Sequence, residues 1–246
     1  MNEIQRILTE IPLEKRGEYF ADTDGDALIN SILNKRFTPC GVYSKPLIDF
    51  DSPKAVTKAN PYEIDVKFIG NTAMYFDTQC EVILTGAYKW GALPLHIKDH
   101  EDRYANSKVG DMQKAYVQDI NYKGVSLQSL IFESKVVKDY DQNIFTQYSR
   151  GVAMSHSIGA QRVLAGLAVK DGNDGQKKLW KKYIDQIFNK DEVLKYGFFV
   201  ATSEIFVNEC SIVLRPANEI SMQIDFEASD ISVSKNDDIV VSTDWI

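Results

Sequence analysis

The stretch Glu63–Gly70, EIDVKFIG, alternates charged and apolar residues, with Ile64, Val66 and Phe68 at every second position. A period of two marks a strand with one buried face. The same texture recurs in CEVILTG (80–86) and GVSLQSLIF (124–132), so the span from Glu63 to Leu130 reads as short strands. Further on, VAMSHSIG (152–159), FFVATSEIFV (198–207) and ECSIVLRPA (209–217) read as strands again. Between them, KDYDQNIFTQYSRG (138–151) predicts a short helix, with an Asp at its start to cap free N–H groups and Gly151 just past its end. After the turn cluster DGNDG, the segment from about 174 to 196 is amphipathic. Leu179, Trp180, Tyr183, Ile184, Ile187 and Phe188 form one stripe, with lysines opposite. A surface helix packed on the sheet is the expectation, and an oligomer contact is the alternative.

The first 60 residues have a different texture. Ile4, Ile7, Leu8 and Ile11 recur at helical spacing until Pro12. A second short helix is expected after Asp26, around Leu28, Ile29, Ile32 and Leu33, and the stretch from Thr38 to about Pro61 reads as a linker or arm. At the other end, residues 230–243 read as a hairpin. The organisation expected is an extension over 1–60 and a β-rich α+β domain over 61–246, with nine or more strands and helices around them.

Composition narrows the function. The chain has 246 residues, 44% apolar and 26% charged, an ordinary globular balance. A net charge of −7 argues against broad nucleic-acid binding. No apolar run approaches the roughly 20 residues that span a bilayer, and the N-terminus has no secretory apolar core, so a soluble protein that stays where it is made is expected. Cys40, Cys80 and Cys210 are too sparse for a disulfide framework and form no C-x-x-C. Neither phosphate-binding glycine loop is present, and no cofactor is expected. His96 and His100 have the i,i+4 spacing of a helical zinc pair, but LPLHI does not read as a helix. DTDGD (22–26) begins like a calcium loop, yet Ala27 and Leu33 stand where the glycine and the bidentate Glu belong, so no metal is expected.

The three histidines fall in two segments, around His96 and His100 and at His156. Histidine is the natural general base near neutral pH, and the serines beside His156 are nucleophile candidates. On a strand, Ser155 and Ser157 share one face, while Met154, His156 and Ile158 share the other. His156 therefore does not serve its neighbours, which leaves His96 or His100 as the base. His96 occupies a regular strand position, whereas His100 sits in the polar run KDHEDR. The serine is not in a G-x-S-x-G elbow, which argues against an α/β-hydrolase.

Three blocks in order carry a family likeness. They are GAYKWGALPLHIKDHEDRYANSKVG (86–110), then KGVSLQSLIFES (123–134) with IFTQYSRGVAMSHSIGA (144–160), and NECSIVLRPANEIS (208–221). Over roughly Val66–Ile220 the chain resembles the prohead maturation proteases of tailed bacteriophages, serine peptidases related in fold to the herpesvirus capsid protease. Glu101 replaces the usual Asp after the His, Ala160 replaces an aromatic residue, and Asp171–Tyr196 reads as an insertion. The resemblance implies a closed or nearly closed, antiparallel-type β-barrel surrounded by helices. It implies Ser157 as nucleophile, His100 as base and Glu209 as orienting acid, with Glu204 on the same stretch as the alternative acid, and backbone N–H groups near Gly159 as oxyanion donors. It further implies cleavage of scaffold and major capsid proteins, and of the chain itself, inside the assembling prohead in the host cytoplasm. A homo-oligomer fits this setting, and no nucleic-acid or membrane partner is implied. A protease-like capsid or scaffold component without catalysis is the alternative.

Overall fold

The alternation in Glu63–Thr72 (β1) is realised in the fold: Ile64, Val66 and Phe68 are buried and Asp65 is exposed. The computed structural model describes residues 7, 10–21, 61–152 and 154–226. The expected helix after Asp26, the acidic loop at 22–26, Cys40, the linker from Thr38 and the C-terminal hairpin lie outside the described residues. The other strands are β2 (Glu81–Ile83), β3 (Tyr88–Lys89), β4 (Leu95–Lys98), β5 (Lys108–Tyr122), β6 (Val125–Val137), β7 (Ser155–Val169), β8 (Phe198–Val213) and β9 (Gln223–Phe226). Four helices accompany them among the described residues: α1 (Leu13–Ala21), α2 (Gln142–Ser149), α3 (Asp174–Tyr183) and α4 (Lys190–Tyr196).

Among the described residues the strands form one nine-stranded sheet in which β8 is the hub. Along one edge β8 pairs in turn with β2, β3 and β4, all parallel to it. Along the other edge it runs antiparallel to β7 over nearly its whole length. The order then continues β4-β5-β6-β1-β9. β5 and β6 meet in a two-residue turn, Lys123 and Gly124, whose φ values of 51° and 80° match the right-handed twist of the flanking strands.

The barrel expectation needs correction on two points. The sheet is mixed rather than antiparallel throughout, and it does not close into a barrel. Between β7 and β1 there is no ladder. The seam is spanned by the isolated bridge Ser155–Met222 and by hydrogen bonds from His156 N–H to the Ser221 carbonyl and Ile69 N–H to the Met222 carbonyl. From Gln223 the chain turns to pair with β1, so among the described residues β7 keeps one edge without a strand partner. Side chains fill the gap instead: the Phe68 ring stacks on His156 at 3.9 Å.

The helices follow local chemistry. Asp141 caps α2, accepting the N–H groups of Asn143 and Ile144, and Gly151 beyond it has φ 69° as anticipated. Asn173 and Gln176 form a capping box at the start of α3. The expected amphipathic segment is two helices, not one. The break arises because Asn189 bonds both main-chain groups of Phe76 and Phe188 N–H donates to the Met74 carbonyl, which pulls the backbone out of helical pairing. Part of the expected N-terminal extension belongs to the core. Ile7 and Phe20 are fully buried, Phe20 lies 4.8 Å from Phe198, and the Arg16 guanidinium donates to the carbonyls of Ile11 and Tyr196. Among the described residues no helix is long and apolar enough to cross a membrane.

Candidate active site

The three histidines have three different environments. His96 is buried on β4, its Nδ1 2.8 Å from the Ser134 hydroxyl. His156 is buried on β7, its Nε2 2.9 Å from the Tyr148 hydroxyl. Burial depresses both: His96 is held at about 3, and His156 falls well below the ordinary histidine value, with His96 nearby adding to the effect. Both are therefore neutral core residues. His100 is the accessible one, with 36% of its side chain exposed.

The backbone aims His100. After β4 ends at Lys98, Asp99 and His100 both take left-handed conformations, with φ of 54° and 57°. Such residues cost on the order of 1 kcal/mol each and persist only when held by their surroundings. Here the Asp99 N–H donates to the Ile212 carbonyl at 3.0 Å, and the His100 N–H donates to the Ser211 hydroxyl at 3.0 Å. The turn is thereby fastened to β8, over the row that carries Glu209.

His100 Nδ1 lies 2.6 Å from Glu209 Oε1. Against a carboxylate Nδ1 must carry a proton, so in the neutral form of the ring Nε2 is the acceptor. The other Glu209 oxygen accepts the Ser211 hydroxyl at 2.7 Å. Ser211 thus holds the carboxylate through its side chain and the His100 backbone through its oxygen. Glu209 is only 4% exposed, a burial that a lone carboxylate would not tolerate without these donors.

Across the ladder, Ser157 pairs with Ser211 and Gly159 with Glu209. Cross-strand partners project to the same face, so Ser157 lies on the face that carries Glu209 and Ser211. A Cβ at position 159 would fall inside the Glu209 carboxylate, so the glycine is the space into which that side chain folds. Ser157 and His100 both line a cavity of about 80 Å³ whose wall also carries Asp77, Glu81 and Arg162. No hydrogen bond joins the Ser157 hydroxyl to His100; in enzymes without substrate such bonds are often long and tighten on binding.

The remaining candidates fall elsewhere. Ser155 sits at the first position of β7, opposite Val213 and bridged to Met222, and does not line the cavity. Glu204 lies five residues before Glu209 on β8, roughly 16 Å away along an extended strand. The backbone of Glu101 serves the turn, its N–H donating to the Lys98 carbonyl and its carbonyl accepting the Ser107 hydroxyl. His96 and His100 are not a helical pair, since β4 is a strand, and no cluster of three or more metal-ligating side chains occurs among the described residues. The residues not anticipated as parts of the site are Ser211, Asp77, Glu81 and Arg162. Ser211 had a visible signal, its i+2 spacing from Glu209. The other three come from a loop, a short strand and the middle of β7, and nothing local marks them. Comparisons with protein families, with curated proteins and with solved structures find no match.

Proposed function

We propose that the chain is a serine endopeptidase with a Ser157–His100–Glu209 triad, acting on scaffold and capsid proteins, and on itself, during phage prohead maturation. The observation that carries the chemistry is the 2.6 Å pair between His100 Nδ1 and a buried carboxylate, on the face that bears Ser157. The phage setting rests on the order of the three sequence blocks. In this reading His100 Nε2 takes the Ser157 proton as Oγ attacks the peptide carbonyl, then returns it to the leaving amine. Glu209 keeps the imidazole in the required tautomer and stabilises the imidazolium as it forms. Ser211 holds Glu209 in place. Water then hydrolyses the acyl-enzyme by the same proton path in reverse.

The test is self-truncation. The purified full chain is expected to shorten on incubation, the Ser157→Ala chain to remain intact, and Ser155→Ala to shorten as the wild type does. Full-length persistence of the wild type, alone and with co-expressed capsid and scaffold proteins, would instead favour the non-catalytic reading.

A further inference from the structure

The cavity shared by Ser157 and His100 holds an unbalanced charge. Glu81 is 2% exposed and fully engaged: Arg162 Nε and Nη2 reach its two oxygens at 2.8 and 2.6 Å, and the Thr202 hydroxyl donates to it as well. Arg162 Nη2 also reaches the Gln79 side-chain oxygen at 3.2 Å. That guanidinium is committed to Glu81. Asp77, on the same wall, is 7% exposed. Its Oδ1 accepts the N–H groups of Gln79 and Glu81, at 2.8 and 2.9 Å. Its Oδ2 accepts no hydrogen bond from any described residue. Two carboxylates thus share one guanidinium, and Asp77 lines the same cavity as the proposed nucleophile.

From this geometry we infer that the cavity is a specificity pocket for a basic substrate side chain, lysine or arginine, and that Asp77 is the carboxylate that receives it. The inference rests on the peptidase reading and adds a substrate class to it. An incoming ammonium or guanidinium would give Asp77 the cation it lacks, through a charge-assisted hydrogen bond. The titration of Asp77 agrees: burial, and then the neighbouring Glu81 charge, push its carboxyl up to about 7. An acidic side chain would meet two carboxylates and a guanidinium already occupied, and a large apolar one would strip Asp77 of its remaining solvent.

The experiment compares peptidyl diphenyl phosphonates that differ only in the side chain beside the phosphorus: lysine, norleucine and glutamate. The rate of adduct formation on Ser157 is read by intact mass. Lysine is expected to react about tenfold or more faster than norleucine, the scale of one charge-assisted hydrogen bond. In Asp77→Asn, which keeps Oδ1 for the two backbone donors, the lysine-to-norleucine ratio is expected to fall to about one. Equal rates in the wild type, a ratio that survives in Asp77→Asn, or a preference for glutamate overturns the inference. If a small neutral fluorophosphonate gives no adduct on Ser157, the peptidase reading fails on its own. The pocket is then judged by NMR titration of the full chain with N-acetyl-lysine amide and N-acetyl-norleucine amide. Binding of the lysine compound alone, lost in Asp77→Asn, upholds the pocket, and no discrimination between the two overturns it.

Discussion

Replacing Gly159 by alanine tests the site through a residue that carries no functional group. The new Cβ would overlap the Glu209 carboxylate, and the φ at this position is not in the left-handed region, so the backbone itself accepts alanine. The carboxylate must then swing away, losing the His100 bond at 2.6 Å and the Ser211 bond at 2.7 Å. Hydrogen bonds to a charged group are worth about 1.5–3 kcal/mol each, and part is recovered if the carboxylate reaches water, so a loss of about 2–4 kcal/mol in folding stability is expected. The catalytic loss should be that of removing an orienting acid, between about a hundredfold and ten-thousandfold. Urea unfolding measures the first quantity and the rate of fluorophosphonate labelling of Ser157 the second. A double-mutant cycle isolates the cause. On a Glu209→Ala background the same Gly159→Ala change should cost less than about 0.5 kcal/mol, because the overlapping group is gone. Labelling within about twofold of wild type, a shift of only ~0.4 kcal/mol, would refute the reasoning, as would an equal cost on both backgrounds.

The same labelling assay checks the neighbours. Glu209→Gln is expected to slow labelling markedly without abolishing it, and Glu204→Gln to leave it unchanged; a reversed pair would move the acid to Glu204. Ser211→Ala removes one hydrogen bond that orients Glu209 and should slow labelling by about fivefold, the kinetic equivalent of ~1 kcal/mol. Acid sensitivity follows from His96, which burial holds at about 3 while the unfolded side chain titrates at about 6.5. As pH falls the unfolded chain takes up this proton first, so stability is lost from about pH 6.5 downward, amounting to about 2 kcal/mol between pH 7 and 5. Asp77, raised to about 7 by burial and Glu81, has the opposite sign: the folded chain holds its proton longer, and stability is gained as pH falls toward the unfolded carboxyl value. Comparing wild type with His96→Gln in urea at both pH values cancels Asp77. The wild-type advantage should shrink by about 2 kcal/mol on going to pH 5, and an unchanged difference would show that His96 titrates normally.

Local pattern revealed β1, β2 and the helix at 142–149, because alternation, an Asp cap and a following glycine act within a few residues, whereas the runs read apart at 198–207 and 209–217 are one long strand, β8. The same parity separates His156 from Ser157: one is buried against Phe68, and the other pairs across the ladder with Ser211, on the face that carries Glu209. Sheet closure was not legible. It depends on whether residues near Met222 continue along β7 or turn to β1, and the sequence there favours neither. The break between α3 and α4 was hidden for a similar reason: the apolar stripe runs on, but contacts from Phe76 and Met74, over a hundred residues earlier, interrupt the helix. Phe20 joins the core through Phe198, a pairing that no periodicity in the first 60 residues announces. Within the site, Gly159 was noticed for backbone approach to substrate, whereas the visible demand on it is steric, from a carboxylate fifty residues later. Asp77 and Arg162 meet only across the cavity.

The most direct measurement is the position of a covalent adduct. The full chain is treated at neutral pH with a small neutral fluorophosphonate, and the modified residue is located by peptide mass mapping. A single adduct on Ser157 is expected, abolished in Ser157→Ala, strongly slowed in His100→Ala and retained in Ser155→Ala. An unmodified Ser157 in the folded wild type, or an adduct whose rate does not depend on His100, would contradict the triad.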